Sequence, residues 1–155
     1  MNIFYLDHYP ALAARYHTSK HVVKMITELA QILSTAKRHF GNNDDRLYKS
    51  THVNHPSNVW IREGKDNYLW TLELLKELIK EYDFRYDSGK HQRARELIKL
   101  FESVPDLPEG STPLRLAMPN EFKDNDPVKA YRAYYMNGKR HLANWGRREA
   151  PYWWR

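Results

Sequence analysis

The apolar residues between Ser19 and His39 recur every three or four positions, and this spacing constrains the fold more than any other feature of the sequence. Such a period places apolar side chains on one face of an α-helix. That face comprises Val22, Val23, Ile26, Leu29, Ala30 and Leu33. Thr18 or Ser19 can cap the start of the helix, and Gly41 suits its end. The pattern therefore predicts one long helix over 19–39 with a buried side.

Similar apolar spacing recurs along the rest of the chain. Further helices are predicted at about 10–16, 67–86, 90–101 and 126–145. Turn-forming and proline residues dominate 41–66 and 103–126, which predicts long loops there. The sequence therefore predicts an all-α fold: a compact single-domain helical bundle over residues 1–155, with three long helices, one or two short ones, and long loops.

The composition excludes several kinds of site. The chain has no cysteine, which rules out disulfides, thiolate zinc sites and cysteine nucleophiles. No apolar run approaches the roughly 20 residues of a membrane helix, and the first residues lack the basic and apolar parts of a secretory signal. We therefore expect no membrane partner, a cytoplasmic location and a monomer that needs no cofactor.

The charge balance favours an anionic partner. Lys and Arg number 25 against 19 Asp and Glu, and aromatic residues make up 14% of the chain. Aromatic rings that stack on bases, beside basic side chains that contact phosphates, are a usual means of holding displaced nucleotides. The composition thus favours nucleic-acid binding, although a general basic bias that aids solubility would give the same net charge of +6.

Polar side chains follow one edge of the predicted helix over 19–39. At about 100° per residue, His17, His21, Lys24, Glu28 and Gln31 fall on that edge. Two interpretations stay open. The edge is either a solvated helix face with ordinary i,i+4 pairing or a site in which Glu28 acts as a general base or stabilises a developing cation. In the second case, the neighbouring imidazole and ammonium groups would bind phosphate.

His52 and His55 bring two more imidazoles, in the predicted loop over 41–66. A His pair four residues apart can ligate a metal, but the sequence contains no HExxH or other metal signature. Ordinary loop histidines are the simpler interpretation, and we predict no metal.

Covalent chemistry in this chain would require an amine. No activated serine motif is present, and cysteine is absent. A free α-amino group titrates at about 7.7–8.0, whereas a lysine side chain titrates at about 10.4, so the α-amine is the better nucleophile near neutral pH. This role would need the first residue to lie near the helix that carries Glu28.

The helix over 19–39 resembles the catalytic helix of the phage pyrimidine-dimer DNA glycosylases called endonuclease V. The stretch from His21 to Leu29, continuing to Lys37-Arg38-His39, has a His at the same spacing before a Glu-Leu pair and a basic cluster after it. Residues 68–82 are similar to the central helix of that family. Residues 131–135, followed by Gly138-Lys139, are similar to its C-terminal aromatic and basic segment.

This resemblance implies a compact, metal-free, all-α enzyme whose N-terminal amine attacks the sugar of a damaged nucleotide and cuts the strand through a Schiff base. By position, Glu28 would be the catalytic carboxylate with His21 beside it, and the amine would belong to Met1, or to Asn2 if Met1 is removed. Double-stranded DNA with a flipped or distorted nucleotide would be the partner. The expected DNA contacts are His17, Lys20, Lys24, His52, His55, Tyr131, Arg132, Tyr134, Tyr135 and Lys139.

Three functions are therefore compatible with the sequence. The first is a DNA glycosylase with abasic-site lyase activity on damaged or modified pyrimidines. The second is a phage-type enzyme that modifies DNA bases on the same fold, keeping Glu28 and the histidines but without needing the amine. The third is a nucleic-acid-binding protein with no catalytic activity.

Overall fold

Six α-helices form the fold in the computed structural model, which describes residues 1–155. They are α1 (Pro10–Tyr16), α2 (Ser19–His39), α3 (Pro56–Glu63), α4 (Lys65–Tyr86), α5 (Gln92–Glu102) and α6 (Pro127–Ala133). A π-helical turn, Tyr134–Gly138, follows α6 directly, and short 3-10 turns lie at Asn120–Phe122 and Arg140–Leu142. The chain has no β-strand, and the predicted all-α class with three long helices (α2, α4 and α5) is confirmed.

Helix α2 lies at the centre of the molecule, with α3, α4 and α5 packed against it. Its bounds are those that the sequence predicts. The Thr18 side chain accepts a hydrogen bond from the backbone N–H of His21, and Gly41 just beyond the helix has a φ of 91°. This helix supplies the largest share of the 29-residue apolar core, and Lys24 and Glu28 lie on its other side.

Helix α4 completes the core by packing across α1 and α2. Tyr68, Leu75 and Leu78 on its inner side are fully buried. The Tyr68 hydroxyl donates to the carbonyl of Phe101 at 2.7 Å, which attaches the end of α5 to this helix. The six helices thus share one core and form a single compact domain. None of them combines the length and hydropathy required to cross a membrane.

Two predictions of secondary structure are wrong: one helix was not predicted, and another ends earlier than predicted. Helix α3 lies inside the predicted loop over 41–66, where Pro56 occupies the first helical turn and the His55 ring accepts from the backbone N–H of Ser57. The last helix ends at Ala133 instead of continuing to about residue 145, because the chain widens into the π-helical turn. The remaining helices match the prediction to within a few residues, and the short helices number three.

Residues 1–6, the N-terminal segment, have no regular secondary structure but are packed into the core. Ile3 and Leu6 are fully buried. The Asn2 side chain accepts from the Tyr131 hydroxyl and donates to the carbonyl of Ala117, both at 2.7 Å. These contacts hold the first residue beside α2.

A turn over residues 108–112 packs against the beginning of α4. The backbone N–H groups of Lys65 and Asp66 donate to the carbonyls of Pro108 and Gly110 at 2.8 and 3.0 Å. Gly64 lies at the point of closest approach, since a Cβ there would be only 2.5 Å from the Gly110 carbonyl oxygen.

We expect Gly64→Ala to lower the free energy of unfolding by roughly 1–3 kcal/mol, because the turn must move away from α4 to admit a methyl group. Chemical denaturation monitored by far-UV circular dichroism measures this change. Ser111→Ala, at an exposed position of the same turn, should stay within about 0.5 kcal/mol of the original protein. Equal stability of the two variants would contradict the close approach.

Candidate functional site

A cavity of about 120 Å³ opens where the N-terminal segment, α2 and the π-helical turn meet. Its lining consists of Met1, Asn2, Phe4, His21, Lys24, Met25, Glu28, Tyr134 and Lys139. Seven of these nine residues are site residues predicted from the sequence. They come from parts of the chain more than 100 positions apart, so the fold, and not local sequence, brings them together.

Glu28 and Lys24 face each other on successive turns of α2. The Lys24 ammonium lies 3.7 Å from a Glu28 carboxylate oxygen, and the Glu28 side chain is 17% exposed against 64% for Lys24. Exposed ion pairs of this length contribute little to stability. The half-enclosed carboxylate is consequently free to interact with a bound molecule.

His55 lies near both Glu28 and the amine of the first residue. Burial lowers the pKa of His55, and the positive charges of that amine and of His52 lower it further, while the Glu28 carboxylate raises it. The loop before α3 therefore lies beside the cavity, although none of its residues belongs to the lining. It also brings three kinds of ionisable group, an amine, an imidazole and a carboxylate, into one electrostatic environment.

His21 is a neutral hydrogen-bond donor at the cavity wall. Burial, followed by the charges of His17, Lys139, Lys24 and His141, lowers its pKa to about 3. The Tyr135 hydroxyl oxygen accepts from the backbone N–H of Thr18 and lies 2.6 Å from His21 Nδ1. If the hydroxyl donates to Nδ1, the proton of the neutral imidazole lies on Nε2. The Phe4 ring, stacked at 4.3 Å, fixes the plane of the imidazole.

His17 does not take part in the cavity. It is fully buried, and its Nδ1–H donates to the carbonyl of Ala13 at 2.6 Å. Burial lowers its pKa to about 4, so the ring is neutral at physiological pH. The predicted contact between His17 and DNA is therefore wrong for this structure, because the side chain has no exposed surface.

Three of the aromatic and basic residues predicted to hold DNA are instead structural. Tyr131 and Tyr135 are fully buried, the first bonded to Asn2 and the second to His21. The Arg132 guanidinium donates to the carbonyl of Leu6 and to the Asp7 carboxylate, both at 2.9 Å. Tyr131 and Arg132 thus attach the N-terminal segment to α6, and Tyr135 attaches the π-helical turn to α2. Tyr131 and Tyr135 have no exposed surface with which to contact a partner, whereas the Arg132 side chain is 17% exposed.

Tyr134 and Lys139 do reach the cavity, because the π-helical turn aims them at it. The Lys139 ammonium lies 5.2 Å from the centre of the Tyr134 ring, within range of a cation–π contact. A Cβ on Gly138 would lie 2.6 Å from the same ring, so this position must be glycine for Tyr134 to lie where it does. π-helical turns are often found at functional sites.

The remaining predicted contacts lie outside the cavity lining. Lys20 is exposed on the first turn of α2. His52 is exposed, adopts a left-handed backbone with φ of 48°, and bonds to the hydroxyl of Thr51 at 2.7 Å. A left-handed histidine stores strain, which is commonly found in functional loops.

Asn58 contacts Met1 from behind the cavity lining, and sequence reasoning did not single it out. It is fully buried on α3, where its amide donates to the carbonyl of His52 at 2.8 Å and to the sulfur of Met1 at 3.1 Å. Its amide oxygen has no partner in the protein. Because the surrounding sequence is that of a polar loop, only the proline at the start of α3 signalled that Asn58 belongs to a helix.

No group of three or more His, Asp or Glu side chains comes close enough together to hold a metal ion. The chain matches no protein-family model, no curated protein and no solved structure. The resemblance of residues 21–39 to endonuclease V thus stays a prediction made from local sequence.

Proposed function

We propose that this chain is a DNA glycosylase with abasic-site lyase activity that acts on damaged or modified pyrimidines. One observation carries the proposal: the first residue, the Glu28 carboxylate and the ammonium groups of Lys24 and Lys139 line the same cavity. A nucleophilic amine beside a carboxylate, with cations for the flanking phosphates, is the set of groups that this reaction needs. Local resemblance to endonuclease V supports the same activity.

In the proposed reaction, the amine nitrogen attacks C1′ of the target nucleotide. The bond between C1′ and the base breaks, and the base leaves with the bonding electrons and takes up a proton. The attached nitrogen then gives up one proton, the bond between C1′ and the ring oxygen O4′ breaks, and O4′ takes up a proton, which leaves an iminium that keeps one N–H between the protein and C1′. Removal of a proton from C2′ expels the 3′ phosphate, and water then hydrolyses the iminium to regenerate the amine.

Glu28 would stabilise the positive charge that develops on the sugar as the base leaves. Neutral His21 cannot serve as an acid near physiological pH, since its pKa is about 3, so it would donate its Nε2–H to a sugar or base oxygen. Lys24 and Lys139 would contact phosphates on either side. At about 120 Å³ the cavity is smaller than a usual ligand pocket, which suits a sugar with the base held outside, against Tyr134.

Borohydride reduction tests the amine mechanism directly. We expect the protein to be trapped covalently on duplex DNA that contains an abasic site, and peptide mass spectrometry to place the adduct on the α-amine of residue 1. Glu28→Gln should still bind this DNA but lose roughly 100-fold or more in strand cutting. Glu73→Gln, an exposed glutamate on α4, serves as the matched control and should cut normally.

Several outcomes would contradict the proposal. Absence of any trapped adduct would refute covalent amine chemistry. An adduct confined to the side chain of Lys24 or Lys139 would refute the assignment of the nucleophile. Unchanged activity of Glu28→Gln in every assay would favour a binding protein without catalysis, and a change in base mass with the glycosidic bond intact would favour a base-modifying enzyme.

A further inference from the structure

A second cavity, of about 270 Å³, lies on the opposite side of the N-terminal segment from the first. Phe4 faces the first cavity and Tyr5 faces the second. Trp60 of α3 and Trp70 of α4 complete an aromatic wall with Tyr5. The Tyr5 and Trp70 rings stack at 4.3 Å, and Trp60 meets each of them edge-on at 6.5 Å.

Hydrogen bonds fix both indole rings and occupy their N–H groups. Trp60 donates to the carbonyl of Thr112 at 3.0 Å, and Trp70 donates to the carbonyl of His8 at 2.9 Å. The Asn67 amide, which also lines the cavity, bonds to the carbonyl of Trp60 and to the hydroxyl of Thr112. Trp60 is only 4% exposed, so what the wall offers to a ligand is mainly the aromatic surface that Tyr5 and Trp70 leave uncovered by their stacking, and not indole donors.

Asp66 is the only charged residue in the lining of this cavity. It is exposed in the first turn of α4, and its carboxylate forms neither an ion pair nor a hydrogen bond with another side chain of the protein. A carboxylate beside aromatic faces attracts positive charge, since the face of an aromatic ring is itself electronegative. The charge in the cavity lining is therefore negative, whereas the net charge of the chain is +6.

We propose that this aromatic cavity binds a small organic cation of the alkylammonium class. The cationic head would lie against the aromatic wall within reach of Asp66, as quaternary and protonated amines do in aromatic cages. Phosphate-bearing ligands are excluded, since no lining residue carries a positive charge to receive them. This site is separate from the proposed glycosylase chemistry and does not depend on it.

Nuclear magnetic resonance of the full chain provides the test, because each of the five tryptophans contributes one indole N–H signal. The probes are choline and n-butylammonium chlorides, with 3,3-dimethylbutan-1-ol as the uncharged isostere of choline and total chloride held constant. Single Trp60→Phe and Trp70→Phe variants assign the two relevant signals. We expect both cations to shift these signals saturably and to bind at least about tenfold more tightly than the alcohol.

Asp66→Asn should weaken cation binding by about tenfold while leaving the fold intact, since the side chain is exposed. Asp45→Asn, which removes an exposed carboxylate elsewhere, should bind the cations normally. Equal affinity for the alcohol and the cations would overturn the proposal, and so would equal affinity of Asp66→Asn and the original protein. Saturable shifts only at the other three tryptophans, or none at all, would also refute it.

Discussion

Glu81→Ala is expected to lower the free energy of unfolding by about 3–5 kcal/mol, because it leaves a buried guanidinium without its carboxylate. The Glu81 and Arg85 side chains are only 5% and 1% exposed, and they meet at 2.8 Å on successive turns of α4. Arg85 also donates to the carbonyls of Arg15 and His17 at the end of α1. The Arg148 guanidinium, from the C-terminal tail, donates to the same carboxylate at 2.8 Å.

Chemical denaturation near neutral pH measures the effect of Glu81→Ala. Glu77→Ala on the same helix is the matched control, since its partner Lys80 is 72% exposed, and that variant should lose no more than about 0.5 kcal/mol. A loss for Glu81→Ala as small as that of the control would contradict the buried network. Glu81→Leu combined with Arg85→Met should recover part of the loss, because the buried guanidinium is then removed together with its carboxylate and the only cation left unpaired, Arg148, is 28% exposed.

Acid is expected to destabilise the protein through His17 and His21. Burial lowers the pKa of His17 to about 4 and that of His21 to about 3, whereas an unfolded histidine titrates near 6.5. Between those values the unfolded chain binds more protons than the folded one. The stability is therefore fully present above about pH 6.5 and falls as the pH drops toward the folded values. His17 alone contributes roughly 3 kcal/mol to this fall.

Denaturation curves between about pH 7 and pH 4 measure the slope of stability against pH. Replacing His17 by glutamine should reduce the slope of the unfolding free energy against pH in this range by the amount that corresponds to about one bound proton. We expect this reduction even though the variant is less stable at neutral pH. His39→Gln, which removes an exposed histidine at the end of α2, should leave the slope unchanged. If the His17 variant kept the original slope, the neutral buried imidazole would be refuted.

Local sequence was sufficient to predict α2 because each of its determinants is local. Thr18 supplies the cap, the apolar spacing supplies the buried face, and Gly41 accepts the left-handed conformation beyond the end. Helix α3 was missed because half of its eight residues are polar, it is short, and its cap is a histidine ring, which is not a usual capping group. The end of α6 was missed because the π-helical turn depends on Tyr134 packing against Phe4 and Phe122.

Part of the site was predicted because it, too, depends only on local spacing along α2. Helical spacing correctly aligned His21, Lys24 and Glu28, and the cavity lies along that edge. Spacing does not reveal which edge of a helix other segments cover, so His17 and His21 were interpreted as exposed although both are buried. Phe4 and Tyr135, which cover these two rings, come from the two ends of the sequence. No local pattern can predict such a contact.

The packing of the N-terminal segment has a consequence for how the protein is made. Its partners are synthesised much later, since Asn2 bonds to Tyr131 across 129 positions, and His21, which stacks on Phe4, bonds to Tyr135 across 114. At the roughly 5–20 residues per second of a ribosome, Ile3 and Phe4 spend on the order of ten seconds without the residues that cover them. Helices α2 to α5 are complete by then, so the nascent chain acquires its helical scaffold first and its cavity only once residues 131–139 have been made.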